Sequence, residues 1–293
     1  MSKIGFIGLG LMGSAMVGRL LDKDYTVSVL GNTSRPNIDA AVARGASEAS
    51  SAQELANSSD IVMLCMGTTE QVEGRMYGDN GIISGLKPGT VVIDFGTSLP
   101  ASTRKIGAAV KDAGSDYLDA PLGRTPAHAV DGLLNIMCAG DKAAFDKVRP
   151  VLEDLGENVF HLGALGSGHT VKLINNFFGM TIANAMSEAF AMADVQGVDR
   201  TALYDVMAAG PLHCAMMDMV KAYGVDGVPD QLAFAIKNAA KDVGYYSTMA
   251  TDANTTSVMS QSTLQALNEA QEKGHGEKMV SQMIDFYCEK MKT

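Results

Sequence analysis

The sequence predicts an α/β chain, in which a doubly wound parallel sheet is followed by an all-helical part entered through one long helix. Up to about residue 162, short apolar runs alternate with helical stretches, the pattern of a sheet covered on both faces. A glycine-rich turn follows the first apolar run directly. Beyond that point the β-rich runs cease, and Ala and Met recur at helical spacing. At 293 residues the chain exceeds the roughly 250 that a single hydrophobic core serves, so two domains are expected, 1–163 and 164–293.

Seven strands are expected, at 3–7, 26–30, 61–65, 90–93, 116–118, 133–137 and 158–160. The punctuation agrees: Ser51 ahead of Gln53 and Glu54 marks a helix start, and Pro88-Gly89 turns the chain into Thr90-Val91-Val92-Ile93. Helices in the second part are expected over 170–196, 200–209, 231–250 and 257–273. The first of these, roughly 25 residues and about 37 Å at 1.5 Å per residue, is expected to join the domains.

Composition removes several function classes. With 33 acidic against 23 basic residues the net charge is −10, which repels a polyanion and argues against nucleic-acid binding. The same field makes any anionic ligand depend on local cations and backbone donors. A hydrophobic share of 46% and a charged share of 19% are those of a globular protein with large cores. Glycine interrupts the N-terminal apolar run, so neither a signal peptide nor a membrane span is expected. Cys65, Cys138, Cys214 and Cys288 lie more than about 70 residues apart, without metal or redox spacing, and read as core cysteines of a cytoplasmic protein. No metal is expected. The 19 methionines, beside no tryptophan, read as packing of irregular helical cores.

Gly8-Leu9-Gly10-Leu11-Met12-Gly13 is a G-x-G-x-x-G placed directly after the first strand and opening a helix. Gly8 can make the tight turn, Gly10 lets a pyrophosphate approach the backbone, and Gly13 allows close helix packing. The helix start then offers amide donors to the phosphates. A dinucleotide cofactor is therefore expected, the alternative being glycines that only serve a turn. Met66, just past the strand at 61–65, is placed with the cofactor residues. Where the second strand ends, the acid that would hold a ribose hydroxyl is absent, and the chain reads Gly31-Asn32-Thr33-Ser34-Arg35. Amide, hydroxyl and guanidinium donors in place of a carboxylate suit a 2′-phosphate, so NADP is expected, with NAD as the alternative.

Gly166-Ser167-Gly168-His169-Thr170-Val171-Lys172-Leu173-Ile174-Asn175-Asn176 opens the long helix. Lys172 and Asn176 stand at i and i+4, which places an ammonium and an amide on one helical face, expected to line the cleft between the domains. Such a pair suits carbonyl reduction: the lysine donates to the oxygen that gains charge as hydride arrives, and the amide orients the substrate. An ordinary lysine pKa of about 10.4 keeps the ammonium protonated and favours the reductive direction.

The glycine fingerprint, the G-x-G-x-x-x-K-x-x-N-N run and Lys241-Asp242 resemble the β-hydroxyacid dehydrogenase family, over the whole chain. The resemblance implies a Rossmann domain, a helical C-terminal domain, and homodimers or homotetramers formed through the helical parts. It implies that Lys172 is the catalytic acid or base, that Asn176 binds substrate, that Thr97, after Asp94-Phe95-Gly96, lies near the nicotinamide, and that Lys241 lines the same cleft. The partner would be a small acidic aldehyde or hydroxy acid, such as succinic or tartronic semialdehyde.

One segment departs from the family pattern. Where many members carry Pro-Val-Ser-Gly-Gly, this chain reads Pro121-Leu122-Gly123-Arg124-Thr125, so Gly123, Arg124 and Thr125 become the candidate substrate-binding residues. Arg124 offers a planar five-donor cation, and the loop resembles that of the sulfolactaldehyde reductase branch, which implies an arginine that holds a sulfonate and makes sulfolactaldehyde a candidate substrate. A carboxylate would also fit, and Arg124 could instead pair with a structural acid such as Asp119. His169, His128 and His213 show no metal-ligand arrangement, and Asp119 reads as a loop organiser. Two other classes stay open: an NADPH-dependent imine reductase, against which Lys172 argues, and a dinucleotide-binding protein without catalysis.

Overall fold

The computed structural model describes residues 2–31 and 34–292. The chain divides into two compact units, Met1–Lys172 and Leu173–Thr293. The first begins β1 (Lys3–Ile7), α1 (Leu11–Asp22), β2 (Thr26–Leu30), α2 (Pro36–Ala43), β3 (Ser47–Ala49), α3 (Ala52–Ser58), β4 (Ile61–Leu64), α4 (Thr69–Met76), α5 (Ile82–Gly85), β5 (Val91–Asp94), α6 (Pro100–Asp112) and β6 (Asp116–Asp119). These six strands are parallel, in the order β3-β2-β1-β4-β5-β6, with Ile4 opposite Val27 on one side and Ile61 on the other. The order reverses at β1, and a crevice for ligands opens beyond the carboxyl ends of β1 and β4 at such a switch point.

Successive strand side chains point to opposite faces, so a sheet covered on both sides needs strands that are apolar throughout. Ile4, Phe6, Met63 and Ile93 enter one core with Met16, Val17 and Leu20 of α1. Ile7, Val62, Leu64 and Val92 enter the other with Leu55 of α3 and Ile106 and Val110 of α6.

Past β6 the unit continues with β7 (Leu122–Gly123), α7 (Pro126–Asp131), β8 (Leu134–Cys138), α8 (Lys142–Leu155) and β9 (Gly156–His161). They form a separate three-stranded sheet, with β8 antiparallel to β7 and parallel to β9. The last two expected strands therefore do not extend the main sheet, to which an isolated antiparallel bridge between Asp119 and Ala139 connects them. All seven expected strands are present to within two residues, and β3 and β7 are additional.

Helix α9 (Ser167–Gln196) runs across the boundary at Lys172; its 30 residues span about 45 Å. The second unit adds α10 (Arg200–Ala208), α11 (Ala215–Gly224), α12 (Ile236–Asp252), α13 (Val258–Glu272) and α14 (Met283–Met291), with short 3₁₀ turns at Pro229–Leu232 and Val280–Gln282. Met180, Met186, Met217 and Met283 pack its core with Phe190, Ile236, Val243, Leu267 and Phe286. The helix expected from residue 231 starts only at Ile236, because Ala235 is drawn into an antiparallel bridge with Met279. Among the described residues no helix is long and apolar enough to cross a membrane.

Candidate active site

Gly8 adopts φ +98° at the end of β1, and a Cβ there would strike the Cys65 carbonyl. Gly13 lies against Gly8 so closely that its own Cβ would collide with the Gly8 oxygen, while a Cβ on Gly10 would meet nothing within 4 Å. The three glycines thus divide turn, open approach and helix packing as their spacing predicts. Two side chains hold the loop between them: Ser14 Oγ and Asn37 Nδ2 both donate to the Leu9 carbonyl, at 2.9 and 2.7 Å. A cavity of about 360 Å³ lies at this turn, lined by Ile7 to Gly10, Leu30, Ser34, Asn37, Ile38, Cys65 to Gly67, Gln71 and Arg75. The structure therefore brings Gly8, Leu9, Gly10, Ser34 and Met66 together. Leu11 is exposed at the start of α1, and Met12 packs against the core. Asn32 and Thr33 lie outside the described residues.

Arg35 is not among the residues that line this cavity. Its guanidinium donates from Nη1 and Nη2 to the two oxygens of Glu48 at 2.6 and 3.0 Å, and from Nη2 to Asp39 at 2.7 Å. These hydrogen bonds hold the Glu48 carboxyl below its ordinary range.

Beside the end of β5, the fully buried Asp94 accepts from the Gly96 amide at 2.8 Å, Ser98 Oγ at 3.1 Å and Tyr117 Oη at 3.3 Å. That carboxylate shapes the turn carrying Thr97. At the end of β6, Asp119 accepts from the Gly166 amide at 2.8 Å and the His169 amide at 2.7 Å, capping the start of α9. Its role is loop organisation, as its position at a strand end implies. Burial raises its carboxyl pKa, against the opposing pull of His169 and the two amides. His169 is fully buried between the two acids: Nδ1 meets Thr103 Oγ1 at 2.7 Å, and Nε2 lies 3.7 Å from Asp94. Gly168 is required here, since a Cβ would strike the Met137 carbonyl and Asp119.

One turn further along α9, the half-buried Lys172 donates from Nζ to the Leu122 carbonyl at 2.8 Å. Leu122 leads into the segment Gly123, Arg124 and Thr125. Arg124 has φ +75°, and its Nη1 donates to the Leu133 carbonyl at 2.7 Å and to Glu157 at 2.5 Å. The acid that pairs with it is thus Glu157, not Asp119. Thr125 Oγ1 contacts His128 Nδ1 at 2.7 Å.

Within the helical unit, Asn176 donates to Asp242 Oδ2 at 2.6 Å, and the Lys241 ammonium lies 2.9 Å from Asp242 Oδ1 and over the Tyr245 ring at 5.3 Å. The carboxylate of Asp242 is buried and ties α9 to α12. Among the described residues no group of three metal-ligating side chains occurs.

Residues 3–163 match the model of the NAD binding domain of 6-phosphogluconate dehydrogenase, and residues 166–287 that of the NAD-binding domain of NADP-dependent 3-hydroxyisobutyrate dehydrogenase. The chain belongs to the β-hydroxyacid dehydrogenase family. It is 36% identical over 207 residues to an NAD-dependent L-serine dehydrogenase of Pseudomonas aeruginosa, covering 71% of this chain and 69% of that one. To a 2-hydroxy-3-oxopropionate reductase of Escherichia coli it is 33% identical over 208 residues, 71% and 70% of the two chains. Its fold matches a Mycobacterium tuberculosis 3-hydroxyisobutyrate dehydrogenase studied with L-serine, at TM-score 0.88 and 26% identity over 98% and 99% of the chains. The enzyme is thus an NAD(P)-dependent β-hydroxyacid dehydrogenase, with a Rossmann domain ahead of a helical one.

The residues present fit a nicotinamide dinucleotide: the Gly10 approach is open, and Gly8 and Gly13 leave no room for a side chain that would close it. Three groups at the enzyme's candidate site escaped sequence reasoning. Asp242 stood beside Lys241 in the motif, but its bond to Asn176 spans 66 residues. Glu48 and Arg75 gave no local signal at all.

Proposed function

We propose that the enzyme reduces a small carboxylate-bearing aldehyde to the corresponding hydroxy acid with NADP(H), with Lys172 as proton donor to the carbonyl oxygen. The observation that carries this reading is the Lys172 ammonium, set at 2.8 Å from the Leu122 carbonyl at the root of the loop 123–125 and one helical turn before Asn176. The bound cofactor would supply the hydride. Lys172 then stabilises the charge that develops on the oxygen, while Asn176, braced by Asp242, orients the substrate. Lys241 neutralises the Asp242 carboxylate and leaves the amide of Asn176 in a fixed pose. Thr97, on the turn organised by Asp94, is assigned to the nicotinamide end. Gly123 and Thr125 are assigned to the substrate's acidic head.

Arg124 joins them only by leaving Glu157, whichever anionic head is bound, and the carboxylate is favoured by the relatives, an L-serine dehydrogenase and a 2-hydroxy-3-oxopropionate reductase. The exposed apolar side chains of α9, Ile174, Phe178 and Val195, support association of the helical units into a homodimer or homotetramer.

The test is NADPH oxidation with tartronic, succinic and methylmalonic semialdehydes and sulfolactaldehyde, and the reverse reaction with L-serine. Lys172→Ala is expected to lower kcat by roughly 10² to 10⁴ fold at nearly unchanged cofactor affinity. Retained turnover in that variant would remove Lys172 from the chemistry, and a preference for the sulfonate aldehyde would overturn the substrate class.

A further inference from the structure

Resting on the NADP(H) reading above, we propose that Arg75 meets the 2′-phosphate of the cofactor and that Arg35, the arginine nearest the end of β2 in sequence, serves as a buttress. The 2′ position of a dinucleotide falls just beyond the second strand of a Rossmann sheet, where an acid selects the hydroxyl or an arginine the phosphate. In this chain β2 ends at Leu30, and the acid comes from the neighbouring strand. Glu48 of β3 lies so near Gly31 that a Cβ on Gly31 would collide with its Oε1. Arg35 covers that acid with Nη1 and Nη2 and meets Asp39 from Nη2 besides. One cation shared by two carboxylates leaves a group of net charge −1, which repels a phosphate dianion instead of drawing it in.

Arg75 stands in the opposite condition. It lies in the last turn of α4, half-buried, and has no hydrogen bond or ion pair among the described residues. It lines the dinucleotide cavity together with Leu30 and Ser34, and also an adjoining hollow of about 340 Å³ lined by Gly31, Ser50 and Ser51. A half-buried guanidinium without a counter-ion is costly in a chain of net charge −10, and a phosphate of three acceptor oxygens satisfies its planar fork. Leu30 and Gly31 fix the place of that phosphate at the end of β2, which is where Arg75 lies.

The experiment is calorimetric titration of the full chain with NADPH, NADH, 2′,5′-ADP and 5′-AMP, none of which requires turnover. Arg75→Met is expected to weaken NADPH and 2′,5′-ADP by tenfold or more, the range of a charged hydrogen bond, and to leave NADH and 5′-AMP within twofold. Arg75→Lys, which keeps the charge and the helix but not the fork, is expected to fall between. Arg35→Met is expected to change NADPH and NADH by the same factor. Equal losses for the two cofactors in Arg75→Met, no loss in it, or a selective loss in Arg35→Met would each overturn the assignment. If the unmutated chain binds both dinucleotides and prefers NADH, the NADP(H) reading fails and takes the assignment with it; if it binds neither, the cofactor site itself is wrong.

Discussion

Two helices that start in the first unit do so from the same local grammar, a G-x-G turn, and put it to opposite uses. At α1 the Gly10 approach is clear, and the turn that leads into the helix lines a cavity. At α9 the chain fills the equivalent place itself, because Asp119 accepts from the Gly166 and His169 amides. A helix start favours an anion in both cases. Whether that anion is a ligand or a side chain is decided by a strand end far away in sequence, which no motif reveals.

The largest effect should come from closing the open start. Gly13→Ala drives a Cβ into the Gly8 carbonyl, and since backbone must give way, dinucleotide affinity is expected to fall about 100-fold, with some 1–3 kcal/mol of stability lost as well. Fluorescence titration with NADPH checks it; affinity within threefold of the parent would mean that the packing of Gly13 on Gly8 is not what shapes the turn.

Emptying the filled start sharpens the comparison from the other side. Asp119→Asn keeps one acceptor but loses the other, which at neutral pH is expected to cost about 2 kcal/mol through a buried amide left unpaired. The pH dependence has a definite sign. Burial raises the folded pKa of Asp119, so the stabilisation linked to its protonated form is complete below the unfolded value of about 3.9 and is lost as pH rises through the folded value. The amide variant does not titrate there, so its deficit against the parent should be widest in acid and should narrow towards neutrality. Urea unfolding across that range would show it, and a deficit independent of pH would refute the burial argument.

The smallest effect is expected at Arg124, where a non-glycine residue holds φ +75°. Arg124→Gly relieves roughly 1 kcal/mol of left-handed strain but gives up the ion pair to Glu157, worth about 0.5 kcal/mol, and the hydrogen bond to the Leu133 carbonyl, worth about as much, so the melting temperature should barely change. With carboxylate aldehydes kcat/KM should stay within threefold if the guanidinium belongs to Glu157. A larger loss would make Arg124 a substrate clamp.

The sequence carried the parallel sheet well because strands buried on both faces are apolar without interruption, as at Ile61–Leu64 and Val91–Asp94. It was silent on β3, of which two of three residues are exposed, and on the two residues of β7. Helices α11 and α14 were passed over, and α12 was started too early, since a bridge between Ala235 and Met279 is a long-range event. The candidate site divides in the same manner. Glycines 8, 10 and 13 and the pair Lys172 and Asn176 are readable because their spacing is local. The contacts of Glu48 with Arg35 and of Asp242 with Asn176 are made by tertiary folding.

The closeness of Glu48 to Gly31 also constrains how this chain can change. A carboxylate introduced at position 31 would land on the carboxylate already standing there and on the guanidinium that balances it. The two positions are therefore epistatic: a charge can be gained at one only after it has been given up at the other. Any such exchange must pass through an intermediate in which Arg35 keeps only Asp39 of its two acids.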